Sequence, residues 1–265
     1  MPAFAANLTM NYPEFEFLER FDAAARDGFR GGEFLFPYAF DRQDLSARVR
    51  GNDLHVALFN APPGDWDRGE RGLAALPGRE EEFRRTIGTA LEYSQALGNS
   101  RLHVMAGLRD AEIPHEKQME TYLRNIEYAA SQAQSIGLTI VLEAINTRNM
   151  SGYFLNYQEE TKAVCDLVRA DNVQIQFDLY HAQIMQGDLA VRLETLFGSI
   201  GHIQAASVPD RHEPDEGEVN YPYLFALLDR LGYGGWIGCE YNPRASTSEG
   251  LDWLRPWRGA TAVTP

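Results

Sequence analysis

Cysteine is scarce in this chain of 265 residues: Cys165 and Cys239 stand far apart with no CxxC spacing. Both fall at positions that read as apolar, so buried free thiols are expected, a pattern that suits a reducing cytoplasm. Positive charge is also short. Lys and Arg number 24 against 38 Asp and Glu, a net charge of −14. A phosphate backbone is held chiefly through Lys and Arg, so nucleic acid is not an expected partner, and neither is an anionic membrane surface. An anionic small molecule remains compatible, because local arginines facing a pocket can outweigh an acidic exterior. No apolar run approaches a membrane span. The opening stretch MPAFAANLTMNYPEF has no basic start and no uninterrupted apolar segment, so no secretory signal is expected. Internal repeats and low-complexity segments are missing too.

What is present is enough apolar material for a large core, 44% of residues, in a periodic arrangement. Short apolar runs predict strands at Phe4–Asn7, Gly32–Phe36, Leu54–Asn60, Arg101–Met105, Thr139–Glu143, Val173–Asp178, Ile200–Gln204 and Trp236–Glu240. Amphipathic patterns between them predict helices near Glu14–Asp27, Asp41–Arg50, Glu80–Leu97, Glu116–Ile136, Gln158–Val168, Asp188–Phe197, Tyr221–Leu231 and Thr247–Trp253. Gly28, Gly98, Gly137 and Gly232 stand where left-handed helix C-caps are expected. Eight strand–helix alternations without a linker predict an α/β fold, a single-domain (β/α)8 TIM barrel, which needs roughly 250 residues. Its expected span is 1–257, with 258–265 (RGATAVTP) a frayed tail.

Strand parity locates the site. Val173, Ile175 and Phe177 share one face of their strand, and Gln174, Gln176 and Asp178 the other. Ile140 and Leu142 oppose Glu143; Ile203 opposes His202 and Gln204; Ile237 and Cys239 oppose Trp236, Gly238 and Glu240. In each strand the apolar face suits packing on helices, while the inward face ends in a polar group at the strand's C-terminal end, where barrel enzymes keep their active sites. Closure would gather Glu143, Asp178, Gln204 and Glu240. Three carboxylates at such range repel unless protonated or neutralised. One hard divalent cation held by carboxylate and amide oxygens resolves this, and the absence of thiolate favours Mg²⁺ or Mn²⁺. The plainer alternative, rim salt bridges to arginine, suits one such residue better than four successive strand ends.

Around this set, His181 follows Asp178 by three residues and reads either as a donor to a substrate oxygen or as a loop histidine capping the next helix. Arg211, in the loop Val208–Pro214, reads as a clamp for a carboxylate or enediolate oxygen, or as a surface ion pair. His103, inward on the fourth strand, either lines the pocket or is a satisfied core histidine. Glu33 reads as a buried, hydrogen-bonded structural carboxylate. The long loop with Asp65-Trp66 and Gly69-Glu70-Arg71-Gly72 reads as a lid or an oligomer contact, and Glu80-Glu81-Glu82 as a helix N-terminus favoured by the dipole.

Several stretches carry a more specific signal. They are Phe4-Ala5-Ala6-Asn7-Leu8, Gly32-Glu33-Phe34-Leu35-Phe36-Pro37-Tyr38, Pro63-Gly64-Asp65-Trp66, Gly69-Glu70-Arg71-Gly72, Glu143-Ala144-Ile145-Asn146, Gly217-Glu218-Val219-Asn220-Tyr221 and Gly238-Cys239-Glu240-Tyr241. Through them the sequence resembles the hydroxypyruvate isomerase family of the xylose isomerase-like barrels, a group that includes 2-oxo-tetronate isomerases. The resemblance implies a metal held by Glu143, Asp178, Gln204 and Glu240, with Glu143 and Glu240 as proton donor and acceptor. It implies substrate-oxygen contacts from His181 and Arg211. Asn149 and Ser207 depart from the family's frequent Asp, which touches substrate choice and not the metal set. The expected reaction is the interconversion of ketone and aldehyde in a small hydroxy-keto acid, hydroxypyruvate to tartronate semialdehyde or a 2-oxo-tetronate, through a cis-enediolate. The rivals are a ketose 3-epimerase, a non-catalytic protein binding metal and sugar acid, and a DNA-repair endonuclease. The last would need further metal-binding histidines and a basic face. A homo-oligomer stays open, with no sequence feature marking its interface.

Overall fold

The computed structural model describes residues 2–257, so the expected tail at 258–265 lies outside the described residues. Eight parallel strands close into a barrel in sequence order: β1 Ala3–Asn7, β2 Gly31–Phe34, β3 His55–Asn60, β4 Arg101–His103, β5 Thr139–Glu143, β6 Val173–Asp178, β7 Ile200–Gln204 and β8 Trp236–Cys239. The closing seam pairs Ala3 with Trp236 and Ala6 with Cys239. The outer layer holds α1 Arg20–Arg26, α2 Arg42–Gly51, α3 Glu80–Leu97, α4 His115–Gln134, α5 Gln158–Val168, α6 Leu179–Met185, α7 Leu189–Leu196 and α8 Tyr221–Leu231. Among the described residues no helix is long and apolar enough to cross a membrane. Both thiols are free and buried, as expected.

Strand parity sorts the core into two regions. Outward residues Ile140, Leu142, Ile175, Phe177, Ile203 and Ile237 join the helices' apolar faces, including Phe83, Ile87 and Ala129, in one continuous cluster. Burying each large apolar side chain contributes about 1.5–3 kcal/mol. The barrel's lower interior is a separate cluster of Ala3, Ala5, Ala57 and Trp236. The indole needs small neighbours: a Cβ on Gly31 would lie 2.6 Å from its Cε3. Helix ends carry the expected signals. Asp41 Oδ1 accepts from Gln43 N at 2.7 Å and Asn220 Oδ1 from Tyr223 N at 3.2 Å, while Gly98 and Gly232 close α3 and α8 at φ +70° and +80°.

Strands β2 and β4 end two residues earlier than expected, and three other elements differ more. Helix α1 starts at Arg20, preceded by a 3₁₀ turn at Phe17–Glu19, because the Phe15 carbonyl that would continue a helix accepts from Arg20 Nε at 2.9 Å. The C-terminal segment forms 3₁₀ turns over Ser248–Trp257. Pro256 lies inside it, and Gly250 approaches Glu213 so closely that a Cβ would meet Oε1 at 2.2 Å. Helix α6 arises where a loop was expected, so His181 is helical.

Candidate active site

The C-terminal barrel mouth is built by strand ends and the first residues after them. Asp178 ends β6 and also caps α6: its Oδ1 accepts from Tyr180 N at 2.7 Å and from His181 N at 3.4 Å. That holds the carboxylate rigid and leaves Oδ2 buried without a hydrogen-bond partner. Glu143, at the end of β5, has Oε1 in the same condition. Glu240 lies one residue past β8, its side chain 12% exposed. One ligand-type atom from each of Glu143, Asp178, His181 and Glu240 lies within 4.8 Å of the others. His181 Nε2 is 3.5 Å from Asp178 Oδ2 and 3.9 Å from Glu143 Oε1.

The electrostatics follow from burial and crowding. Burial first, then the neighbouring Glu240 and Asp178 charges, pushes the Glu143 carboxyl well above its ordinary value. Glu240 rises to about 8 through burial, against the opposing pull of Arg211. Burial lowers His181 to about 4 and His103 to about 3, so both imidazoles are neutral at neutral pH. Orphaned buried carboxylate oxygens in a dense acidic cluster are what a hard divalent cation requires, so the residues fit one.

Of the sequence candidates, Arg211 joins the cluster directly. Its Nη2 lies 2.6 Å from Glu240 Oε2 and 3.8 Å from Asp178 Oδ2, its guanidinium sits 5.0 Å from the Tyr180 ring centroid, and its Nε has no partner. Burial works against its charge, but Glu240, Asp178 and Glu143 hold its pKa above the ordinary value. His103 stands 3.7 Å from Glu143 Oε2 with both ring nitrogens unpartnered. Gln204 takes a different posture from the acids. Its Nε2 donates to Glu33 Oε1 at 2.9 Å, and its Oε1 accepts from Gln176 Nε2 at 2.6 Å, leaving that oxygen one further lone pair. Glu33 is the hub beneath it, accepting also from Asn7 Nδ2 at 2.9 Å and pairing with His202 Nε2 at 2.7 Å.

The mouth encloses a cavity of about 280 Å³, with Asn60, Trp66, His103, Met105 and Glu143 in its wall. That is below the roughly 300–1,000 Å³ of drug-sized ligand pockets. Asn149 sits at its exposed rim. Ser207 stands outside the wall of this cavity; its Oγ accepts from His212 N at 3.0 Å and ties the loop that carries Arg211. Sequence reasoning missed Asn146, whose Nδ2 contacts His181 Nδ1 at 2.6 Å, and Gln176. Parity marks Gln176 as inward, whereas Asn146 follows the strand, beyond the reach of a period-two argument.

A parallel barrel with buried acids at its C-terminal mouth defines a TIM-barrel enzyme with a site suited to a metal ion. The chain belongs to the xylose isomerase-like TIM barrel family, whose model matches residues 21–257, and is an isomerase of that family. It is 59% identical to a 2-oxo-tetronate isomerase of Cupriavidus necator, over 98% of this chain and 100% of that one. It is 41% identical to the hydroxypyruvate isomerase of Escherichia coli, over 97% and 100%. A solved structure described as an AP endonuclease of family 2 from Brucella melitensis superimposes with a TM-score of 0.96 at 51% identity, covering 97% of this chain and 100% of the other.

Proposed function

We propose that the protein interconverts ketone and aldehyde in a small hydroxy-keto acid, hydroxypyruvate or a 2-oxo-tetronate, through a cis-enediolate and with one Mg²⁺ or Mn²⁺. The observation that carries this reading is the pair Glu143 and Glu240, which bring carboxylate oxygens within 4.8 Å of each other and of Asp178. Glu143, Asp178, Glu240 and the remaining lone pair of Gln204 Oε1 would hold the cation, which supplies Lewis-acid polarisation of the substrate carbonyl when bound.

The residues' own parts follow from their positions. One glutamate takes the proton from the carbon bearing the hydroxyl, and the same or the facing glutamate returns a proton to the former carbonyl carbon. The hydroxyl proton moves between the two oxygens, so the exchange is redox-neutral overall. Ligation by the cation would keep both glutamates ionised, which suits the one that accepts the first proton. His181 donates to the developing oxyanion. Arg211, with an unpartnered Nε beside the cluster, takes the substrate carboxylate, and His103 lines the wall near Glu143. The net charge of −14 argues against a nucleic-acid substrate. The free buried thiols suit a reducing cytoplasm.

The test incubates the protein with Mg²⁺ or Mn²⁺ and hydroxypyruvate, a 2-oxo-tetronate or a free ketose in D₂O, followed by NMR. Metal-dependent isomer formation with deuterium uptake from one keto acid is expected. Turnover of the ketose alone would move the reading to a 3-epimerase, and binding without exchange to a non-catalytic protein.

A further inference from the structure

The acidic cluster includes an imidazole, and whether that imidazole is a ligand or a donor is decided one residue away. We propose that Asn146 is a positioning residue that fixes His181 as its Nε2–H tautomer, so that His181 meets the carboxylates and the substrate as a hydrogen-bond donor and is not a metal ligand. The proposal rests on the assignment of His181 to a substrate oxygen made above.

The amide of Asn146 has only one orientation consistent with its neighbours. Its Oδ1 accepts from the backbone N–H of Asn149 at 2.8 Å, which turns Nδ2 the other way. The two Nδ2 hydrogens are then divided between Asn149 Oδ1 at 2.9 Å and His181 Nδ1 at 2.6 Å. Asn149 Oδ1 also accepts from the Tyr180 hydroxyl at 2.9 Å, so two donors converge on that oxygen. The Asn146 backbone N–H points to the same imidazole nitrogen at 3.4 Å. A nitrogen facing an amide NH₂ must accept, so Nδ1 carries no proton. In a neutral ring the proton is therefore on Nε2, the atom 3.5 Å from Asp178 Oδ2.

Metal-ligating histidines show the opposite arrangement: their second ring nitrogen donates its N–H to a carboxylate or carbonyl. Here the second nitrogen accepts. Asn146 and His181 each stand three residues beyond an acid of the cluster, Glu143 and Asp178, so two adjacent strand ends deliver both the carboxylates and the pair that sets the donor between them.

The test reads the tautomer itself, by two-bond ¹H–¹⁵N correlation spectra of the protein carrying ¹⁵N-histidine, with His181 assigned by its loss in His181→Gln. Wild type is expected to show a protonated Nε2 and a bare Nδ1, unchanged on addition of Mg²⁺. Asn146→Asp puts an acceptor against Nδ1 and should reverse the pattern. Asn146→Leu, which removes the donor alone, should give both tautomers. Asn149→Asp keeps an oxygen for Asn146 and Tyr180 and should leave the pattern as in wild type. In turnover, Asn146→Asp should lower kcat about 100-fold, as loss of one oxyanion donor does, with KM changed less than about threefold. A protonated Nδ1 in wild type, loss of the Nε2 proton on Mg²⁺ binding, or an unchanged tautomer in Asn146→Asp would each overturn the proposal. Were no keto acid turned over while the tautomers behaved as expected, the proposed reaction would fall and the role of Asn146 would stand.

Discussion

Gly238 has no side chain because Glu33 fills the space where one would go: a Cβ there would sit 2.2 Å from Glu33 Oε2. The Oε1 of this buried carboxylate accepts from both Asn7 and Gln204, and its Oε2 pairs with His202. It therefore dictates which way the Gln204 amide faces, and with that where Gln204 Oε1 points. Replacing Glu33 by Gln would turn an NH₂ group either toward the donors Asn7 and Gln204 or toward His202 Nε2. We expect Glu33→Gln to lose about 1–3 kcal/mol of stability in denaturant titrations. Mn²⁺ affinity measured by EPR should fall with it, and unchanged Mn²⁺ affinity would remove Gln204 from the ligand set. The two glutamates of the proposed reaction predict a sharper loss. Glu240→Gln should reduce kcat by about 10²–10⁴-fold, and wild-type turnover with metal still bound would refute the two-glutamate scheme.

At the scale of elements, the barrel was legible because inward and outward residues alternate with period two, and that period continues to the strand ends where the acids lie. Strands β5, β6 and β7 and helices α3, α5 and α8 run over the expected residues. Helix α6 was not legible: it spans seven residues, too few for a 3.6-residue period to declare itself, and its cap is a residue of the preceding strand. Asn146 escaped for a related reason, since loop residues have no period to betray their direction. The loop after β3 shows what spacing alone could not give. Gly72 pairs with Ala106 in an antiparallel bridge at φ +122°, and a Cβ there would meet the Met105 carbonyl oxygen at 2.4 Å. Glu70 pairs with Arg79 at 2.7 Å, and the Arg71 guanidinium sits 3.9 Å from the Trp66 ring. This bracing holds Trp66 in the cavity wall. Trp66→Ala should then remove about 1–2 kcal/mol of contact with the substrate, a rise in KM of about 5–30-fold with kcat less affected. A KM within about twofold of wild type would show that the indole does not touch the substrate.

The molecule as a whole carries a net charge of −14 and still concentrates buried acids at one end of its barrel, which ties its stability to pH and to any cation the acids bind. In the folded chain, burial raises Glu240 from its ordinary 4.5 to about 8 and sets Glu143 well above 4.5. Between those values the fold holds protons that the unfolded chain has released. Each such proton is worth about 1.4 kcal/mol per pH unit, and the contribution is complete below the unfolded value and lost as pH rises through the folded one. Burial of His181 and His103 as neutral rings acts the other way below about pH 6.5, so a chelator-treated sample should show a Tm that declines from about pH 6.5 to pH 8.5. A divalent cation reverses the logic, because it favours the ionised carboxylates and displaces their protons. Added Mn²⁺ should raise Tm little at pH 5 and most at the alkaline end, and calorimetry in buffers of different ionisation enthalpy should register proton release on binding. A chelated protein whose Tm is flat across this range would mean that the cluster stays ionised by pairing with Arg211 alone. Equal stabilisation by Mn²⁺ at pH 5 and pH 8.5 would mean that the cation binds somewhere other than these acids.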